Sequence, residues 1–461
     1  MLGVIGIVIS LILLMYLAYR GITVLVLAPV LALFAAFMGA GADAHIMATY
    51  TEVFMKSFAG YAQKYFPVFM LGAIFGKIMD DTGCAKSIAH TIAQKLGKEK
   101  AMLAVALSCS VLTYGGVSMF VVAFAIYPIA VSLFKEADIP KRLIPGTIAV
   151  GSFGFTMTAL PGSPQIQNAI PMPYFGTDAY AAPVLGLIAS AIMLTVSMLW
   201  LTNRANKARK AGEGYGDHPG ENVSDMDVSQ LPSFIISIIP IVLVLVLNFI
   251  FSRYYFGGAS YDSSYLAEYK TKLSDVSGMW SLILALLIAI IFAIVSNLKR
   301  LKDVKNSCNQ GAIGSLLAII NTSSEVGYGN VIKSLAAFAI IQNAMLGISS
   351  NPLIAEAISV NVLAGITGSA SGGMAIALSL MGKQYIEMAQ AAGISPQVLH
   401  RIATISCGGF DSLPHNGAVI TLLGICQMSH KESYSDIGMV SVVIPLCTLV
   451  IVLICASIGI V

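Results

Sequence analysis

The chain alternates between long, continuous apolar runs and short polar interruptions. Within a run the apolar residues do not alternate with polar ones, as they would in the strands of a membrane barrel, so each run predicts an α-helix. Runs such as Leu2–Tyr19 and residues 184–201 approach the roughly 20 residues that a helix needs to cross the hydrocarbon core. The pattern predicts an all-α polytopic membrane protein with about 10 full spans.

Composition supports lipid rather than water as the surrounding solvent. Of 461 residues, 57% are hydrophobic and only 11% are charged, and the mean hydropathy is +0.83. The net charge of +3 comes from Lys and Arg in the loops between runs, so no basic face favours nucleic-acid binding. The seven cysteines form no CxxC pair, and we predict neither a disulfide framework, a metal site nor another cofactor.

Two of the apolar runs are interrupted by polar and helix-breaking residues. The first interruption, residues 151–168, reads GSFGFTMTALPGSPQIQN, and the second, residues 406–419, reads SCGGFDSLPHNGAV. Each contains a Leu-Pro pair, and Pro161 and Pro414 lie 253 positions apart. Because proline breaks a helix interior, we predict broken membrane helices over about 143–168 and about 398–428.

Two other runs have glycine-rich centres. Residues 101–133 contain the tip Thr113-Tyr114-Gly115-Gly116, and residues 352–381 contain Thr367-Gly368-Ser369-Ala370, 254 positions later. Two short apolar arms with a glycine tip predict a re-entrant helical hairpin. A third match appears when the segment around Gly83 is aligned with the segment around Gly329. The alignment predicts that a helix ends at each glycine, with Glu325 just before the second helix end.

These matched offsets predict two repeats, residues 1–201 and 232–461, joined by a polar cytoplasmic linker at residues 202–231. If Lys and Arg accumulate on the cytoplasmic side, that side holds 17 of the 26 basic residues. The first hairpin then enters from the cytoplasm and the second from outside. Repeats of inverted topology are typical of secondary transporters.

The tips and breaks contain the candidate substrate ligands. The N-termini of broken helices carry partial positive charge, which suits an anion that must be released again. Each glycine taken alone is equally well explained by close helix packing. The predicted substrate-binding residues are Thr113, Tyr114, Gly115, Gly116, Ser118, Thr156, Thr158, Gly162, Ser163, Gln167, Asn168, Thr367, Gly368, Ser369, Ser371, Gly372, Ser412, His415 and Asn416.

Ionisable residues inside a membrane run are functional by default. Asp411 is the leading candidate for ion coupling, with Glu325 and His415 behind it, since burial disfavours a charged carboxyl and makes proton exchange accessible near neutral pH. Asp80 and Asp81 can both pair with Lys77 at helical spacing, which predicts a structural ion pair near the interface.

Basic residues elsewhere are assigned to the membrane surface. We predict that Arg142 and Arg401 are topological anchors near the surface rather than ligands, and that His400 is interfacial.

Several motifs together resemble the gluconate permease (GntP) family of bacteria. They are GAIFGKIMDDTGCAKSIAHTI (72–92), LTYGGVSMFVVAFAIYPIA (112–130), GFTMTALPGSPQIQNAIP (154–171), SSEVGYGN (323–330), ITGSASGGM (366–374) and GFDSLPHNGAVITLL (409–423). The resemblance implies an inner-membrane symporter of small organic acids within the ion transporter superfamily. It also implies a homodimer with scaffold domains and moving transport domains.

The substrate prediction is a short hydroxy-monocarboxylate carried with a proton, or with sodium. The four stretches contain no Lys or Arg, so desolvating a tricarboxylate would cost several kcal/mol per ion without a counter-charge. The resemblance to gluconate-specific members would imply an acidic residue at the first tip, where this chain has Tyr114-Gly115-Gly116.

Three alternatives stay open. Gluconate or another sugar acid is the nearest. An intramembrane enzyme using Asp411 and His415 as an acid–base pair is another, although no nucleophile motif or cofactor fingerprint accompanies that pair. A channel would share the broken helices but more naturally shows charged rings or a repeated filter.

Overall fold

The computed structural model describes residues 2–20, 22–218, 230–258, 261–347, 349–414 and 416–461. That part of the chain is helical and contains no strand, which confirms the predicted all-α class. Its helices of nine residues or more are α1 Leu2–Tyr19, α2 Val24–Ala40, α3 Lys56–Asp81, α4 Cys84–Leu96, α5 Ala101–Tyr114, α6 Met119–Glu136, α7 Ile144–Ser152, α8 Pro183–Lys210, α9 Phe234–Ile250, α10 Leu273–Ser296, α11 Val304–Ser334, α12 Phe338–Leu346, α13 Pro352–Thr367, α14 Ala370–Ala391, α15 Pro396–Cys407, α16 Gly417–Cys426, α17 His430–Gly438 and α18 Ile444–Ser457.

Within the described ranges, four continuous helices are long and apolar enough to cross a membrane. They are Pro183–Lys210, Phe234–Tyr255, Leu273–Ser296 and His430–Ser457. Their outward apolar side chains are exposed, including Leu199 on the first of them. Such faces are compatible with lipid and not with water.

The two long helices α3 and α11 pack along each other, and α11 also contacts α2 and α14. Contrary to the prediction of an ending at Gly329, α11 continues through the whole segment from Ser323 to Asn330. A Cβ on Gly327 would lie 3.0 Å from the Phe54 ring, and one on Gly329 would lie 3.2 Å from Ile376. These glycines therefore permit close packing inside a helix, whereas Gly83, with φ +77°, follows the end of α3.

Both glycine-rich tips separate two helices that pack on each other. The first pair is α5 and α6, and the second is α13 and α14. Gly116 has φ +94° and Gly368 has φ +62°, a left-handed backbone that favours glycine. Each tip is therefore flanked by two packed helices, and the second helix of the later pair continues past residue 381 to Ala391.

Helical structure is also interrupted at both Leu-Pro segments. After α7 the chain makes the short turns Phe155–Thr158 and Ile166–Ala169, and after α15 it makes the turn Phe410–Ser412 before α16. The two breaks touch each other, since a Cβ on Gly408 would lie 2.6 Å from Thr158 Cγ2. The polar interruptions of two distant runs are therefore brought to one place.

Candidate functional site

A cavity of about 720 Å³ lies where the two tips and the two breaks meet. Part of its wall is apolar, with Val68, Phe69, Met119, Met157 and Ile420. The predicted residues that line it are Thr113, Gly116, Ser118, Gln167, Glu325, Thr367, Gly368, Ser369, Ser371, Asp411, Ser412 and Asn416.

Among the described lining residues, the ionisable side chains are carboxyl groups. Glu325 and Asp411 are 3% and 5% exposed, and no Lys or Arg occurs among the described lining residues. An anionic ligand would therefore be held by dipoles and hydroxyl groups rather than by a contacting cation.

The first tip is tied to the first break by a glutamine that the sequence analysis does not single out. Gln165 Nε2 donates to the main-chain oxygen of Thr113 at 2.7 Å and to that of Val117 at 3.4 Å. Gly116 faces the same break, because a Cβ there would lie 2.9 Å from Pro164 Cγ. Gln165 follows the Leu-Pro pair by four residues, and that position is the signal that could have identified it.

The second tip is tied to the second break in the same way. Asn416 Nδ2 donates to the main-chain oxygen of Gly368 at 2.8 Å. Its Oδ1 accepts from the backbone N–H groups of Ala418 at 2.6 Å and Val419 at 3.0 Å, capping α16. Each break therefore donates a side-chain amide to a carbonyl of the tip in its own half, which satisfies a backbone group that the missing helical turn leaves open.

Glu325 reaches the second tip from α11. Its carboxylate lies directly against the Cα of Gly372, so closely that a Cβ on Gly372 would overlap it. Glu325 Oε2 has no hydrogen-bond partner among the described residues. Gly372 itself donates its N–H to Ser369 Oγ at 3.0 Å. Gly372 is thus a close-approach position and not part of the cavity lining.

Two residues of the first tip face away from the cavity. Tyr114 Oη donates to the main-chain oxygen of Pro161 at 2.8 Å. Gly115 packs against Ile241, whose Cγ1 would lie 2.6 Å from an added Cβ. Both residues, predicted as substrate ligands, instead hold the tip against neighbouring elements.

The hydroxyl groups of the first break bond to backbone atoms of the same segment. Thr156 Oγ1 donates to the Gly151 oxygen at 2.6 Å, and Thr158 Oγ1 donates to the Gly154 oxygen at 3.3 Å. Ser163 Oγ accepts from the backbone N–H of Gln165 at 3.4 Å. These three predicted ligands, Thr156, Thr158 and Ser163, do not line the cavity.

Two further predicted ligands stabilise the first break from behind. Gly162, with φ +83°, donates its N–H to the Ala179 oxygen at 2.7 Å. Asn168 Nδ2 donates to the oxygens of Ser163 and Ala179, both at 2.9 Å. His415 lies outside the described residues, so its role stays a prediction.

Arg401 and His400, predicted as a surface anchor and an interfacial residue, lie instead in the protein interior. Each is fully buried. Arg401 donates to the Ala181 oxygen through Nε at 3.1 Å and Nη2 at 2.7 Å, and to Asn168 Oδ1 through Nη1 at 3.3 Å. His400 lies 2.6 Å from Thr177 Oγ1 and 3.1 Å from Asn168 Oδ1. The segment between the first break and α8 folds over α15 and covers them, a long-range contact that the local sequence does not contain.

Two sets of ion pairs lie outside the cavity. Lys77 Nζ lies 2.7 Å from Asp81 Oδ1, as predicted. Arg142 donates to both carboxylate oxygens of Glu213, at 2.6 and 2.8 Å, and lies 3.4 Å from the buried Asp436. The hydrogen bonds from Arg142 lower the pKa of the Glu213 carboxyl. Arg142 thus joins α7 to the segment after α8, in a partly exposed position that fits the predicted anchor.

Among the described residues, a buried carboxyl group without a polar partner is absent from the sequence analysis. Glu356 on α13 is fully buried, and neither carboxylate oxygen has a partner among the described residues. Its sequence signal is an isolated Glu between apolar residues of a hairpin arm.

Comparison with known proteins gives the family. The family model described as GntP family permease matches residues 1–458. The chain is 44% identical over 446 residues to the uncharacterized transporter YxjC of Bacillus subtilis strain 168, covering 94% of each chain. It is 24% identical over 413 residues to the high-affinity gluconate transporter of Escherichia coli K12, covering 85% of each.

A solved structure shares the fold. The crystal structure of the Alcanivorax borkumensis YdaH transporter superposes with a TM-score of 0.61 at 15% identity, covering 94% of this chain and 98% of that one. The family match over almost the whole chain agrees with the motifs at the tips and breaks. The chain therefore belongs to the GntP family of permeases and is a multi-pass transporter of the bacterial inner membrane.

Proposed function

We propose that this permease is a proton symporter of a short hydroxy-monocarboxylate, of the 3-hydroxybutyrate type, that works by alternating access. The observation that carries the proposal is the cavity between two tips and two breaks, whose described lining has hydroxyl, amide and apolar groups but no Lys or Arg. One carboxylate can be held by helix ends. A tricarboxylate would need fixed counter-charges to offset the desolvation of three ionised groups.

Gluconate or another sugar acid is the second candidate. It is favoured by the relationship to the Escherichia coli gluconate transporter. Against it stands the apolar part of the lining, which includes Val68, Phe69, Met157 and Ile420. A polyhydroxylated chain would leave several hydroxyl groups unpaired against that wall, each at a cost of about 1–3 kcal/mol.

Uptake competition distinguishes these substrates. Cells or proteoliposomes containing the protein are given labelled 3-hydroxybutyrate, with short hydroxy acids, gluconate or citrate as unlabelled competitors. We expect the short hydroxy acids to inhibit most strongly and an uncoupler to abolish accumulation. Stronger inhibition by gluconate would instead assign the protein to sugar acids.

For coupling we propose that Asp411 carries or senses the proton, with Glu325 and His415 as further candidates. The carboxyl groups of Asp411 and Glu325 line the cavity and are almost fully buried. Asp411→Asn keeps the shape of the side chain but removes its titration, so we expect loss of gradient-driven accumulation with residual substrate exchange. Unchanged proton-driven accumulation in this variant would exclude Asp411.

We further propose two inverted repeats, residues 1–201 and 232–461, with the cytoplasmic linker 202–231, re-entrant hairpins and an elevator-like movement within a homodimer. Support comes from the matched tip contacts, because Gln165 and Asn416 both follow a proline break, both have φ −63°, and both donate to the tip of their own half. Residues 219–229 of the linker lie outside the described part.

Cysteine labelling in intact cells tests this topology. A cysteine placed at position 207 should be protected from an impermeant reagent, and one placed at 270 should react. Equal reaction at both positions would refute the proposed orientation and, with it, the inverted arrangement.

A further inference from the structure

The cavity has two chemically different ends. The first-half end is formed by the tip around Gly116 to Ser118 and by the break residues Gln165 and Gln167. The second-half end contains Glu325 and Asp411. A small anion placed between them is repelled by the second-half end whenever Glu325 or Asp411 is ionised.

The helix N-termini at the two ends of the cavity also differ, because only those at the second-half end are capped by a side chain. The N-termini of α14 and α16 are capped by their own side chains, Ser369 and Asn416. Ser118, at the start of the 18-residue helix α6, makes no side-chain capping bond. The first N–H groups of α6 therefore keep their donor capacity, and the positive end of the helix dipole stands at the first-half end.

Two buried polar atoms at this end lack partners in the described structure. Thr113 Oγ1 belongs to a residue 1% exposed, and Gln167 Oε1 to one 8% exposed. Both residues line the cavity. Buried polar groups are nearly always hydrogen-bonded, so these atoms indicate a ligand. A hydroxyl can donate to a carboxylate, whereas an amide oxygen can only accept, as from a substrate hydroxyl.

A buried cation stands behind the same end. Arg401 contacts Asn168, the neighbour of Gln167 in the chain, through its Nη1. No carboxylate lies within ion-pair distance of Arg401 in the described structure. The carboxylate of Asp178 acts on Arg401 electrostatically but is itself paired with Arg253 at 3.4 Å, so Arg401 still adds positive potential at the first-half end.

We propose that the substrate binds in one orientation, with its carboxylate at the N-terminus of α6 beside Ser118 and Thr113 and its hydroxyl donating to Gln167. The carboxylate is thereby kept away from Glu325 and Asp411, where the coupling cation is taken up. This assignment rests on the proposed function and names the anion subsite within it.

The decisive variant is Ser118→Asp, measured by uptake of labelled 3-hydroxybutyrate. Aspartate is a favourable N-cap and stabilises the helix dipole, so the protein should fold and its Tm should not fall. The fixed carboxylate occupies the subsite, and we expect at least a hundredfold loss of uptake efficiency. Ser118→Asn, a neutral cap of the same size, should lose far less. Equal uptake by the Ser118→Asp variant and the wild type would overturn the proposal.

Two further variants separate the carboxylate contact from the hydroxyl contact, using butyrate as the acid that lacks the hydroxyl. Thr113→Val should raise the half-saturation concentration of both acids by a similar factor, about tenfold for one charge-assisted hydrogen bond. Gln167→Leu should weaken only 3-hydroxybutyrate and so remove its advantage over butyrate. The matched control is Thr147→Val, because the Thr147 hydroxyl donates to the Leu143 oxygen at 2.8 Å and does not line the cavity.

The outcomes distinguish failure of the proposed function from failure of the proposed substrate orientation. If the wild-type protein transports neither acid, the proposed function fails and the subsite fails with it. If the wild type transports both but Thr113→Val and Gln167→Leu behave like the Thr147→Val control, the function stands and the orientation is wrong.

Discussion

Replacing Arg401 by methionine tests whether a buried charge serves binding rather than stability. The side chain is fully buried, and Arg401→Met removes the charge while filling a similar volume. The Ala181 oxygen loses both guanidinium donors. The Ala179 oxygen still accepts from Gly162 and Asn168.

The effect on stability should be small because two contributions oppose each other. One orphaned carbonyl costs about 1–3 kcal/mol. Removing an unpaired buried guanidinium relieves a desolvation penalty of several kcal/mol. We therefore expect the Tm of the purified variant in detergent to change by only a few degrees.

The effect on substrate binding should be larger. At an effective dielectric constant of about 20 and an assumed separation of ~10 Å, a unit charge contributes about 1.7 kcal/mol to the binding of a carboxylate. That corresponds to a rise of about 17-fold in the half-saturation concentration for uptake. Arg401→Lys keeps the charge and should keep most of the affinity, although an ammonium cannot reproduce the fork that joins Ala181 and Asn168.

Two measurements decide the matter, the half-saturation concentration for labelled acid and the Tm. A methionine variant with wild-type half-saturation would refute the electrostatic role of Arg401. A lysine variant as impaired in uptake as the methionine variant would show that geometry, not charge, is what Arg401 supplies.

Two other predictions concern single contacts. Gly372→Ala puts a methyl group where the Glu325 carboxylate lies, and overpacking of about 1–3 kcal/mol should lower the Tm, which Glu325→Ala in the same chain should restore; no recovery of the Tm in the double variant would contradict this steric account. Arg142 lowers the pKa of Glu213 from 4.5 in the folded protein. The ionised carboxyl therefore stabilises the fold above pH 4.5, and this stabilisation is lost as the pH falls through the lowered pKa of the folded state. Glu213→Gln should reduce the Tm slightly at pH 7 but not in strong acid. The control is Glu387→Gln, in the exposed pair with Lys383 at 3.8 Å, which should not change the Tm at either pH. A lower Tm of the Glu213→Gln variant that persisted in acid would contradict the role of the Glu213 charge.

The tips and breaks could be predicted because glycine, proline and amides are conspicuous inside apolar runs. Their backbone requirements are local, as the positive φ of Gly116 and Gly368 shows. The sequence does not show which side chains of a break face the cavity. The hydroxyls of Thr156, Thr158 and Ser163, predicted as ligands, instead bond to the backbone of the break, and Gln165, which does line the cavity, is not among the predicted residues.

Errors arose where a residue's role depends on distant packing. Gly329 resembles a helix breaker in sequence, but Ile376 fills the space beside it and the helix continues. Arg401 resembles a surface anchor, but the Ala179–Ala181 segment covers it. Neither contact has a signal in the neighbouring residues.

The amide contacts of Gln165 and Asn416 have a consequence for leakage. Each ties a tip to the break of its own half, so neither contact has to be broken before the other. A hydrogen bond with a net value of about 1 kcal/mol would on its own leave one tip released roughly one time in six, and both released together roughly one time in forty. If the two tips open to opposite sides of the membrane, as in the proposed inverted repeats, a path open to both sides would be several times rarer than opening to one side, even without a mechanical link between the halves.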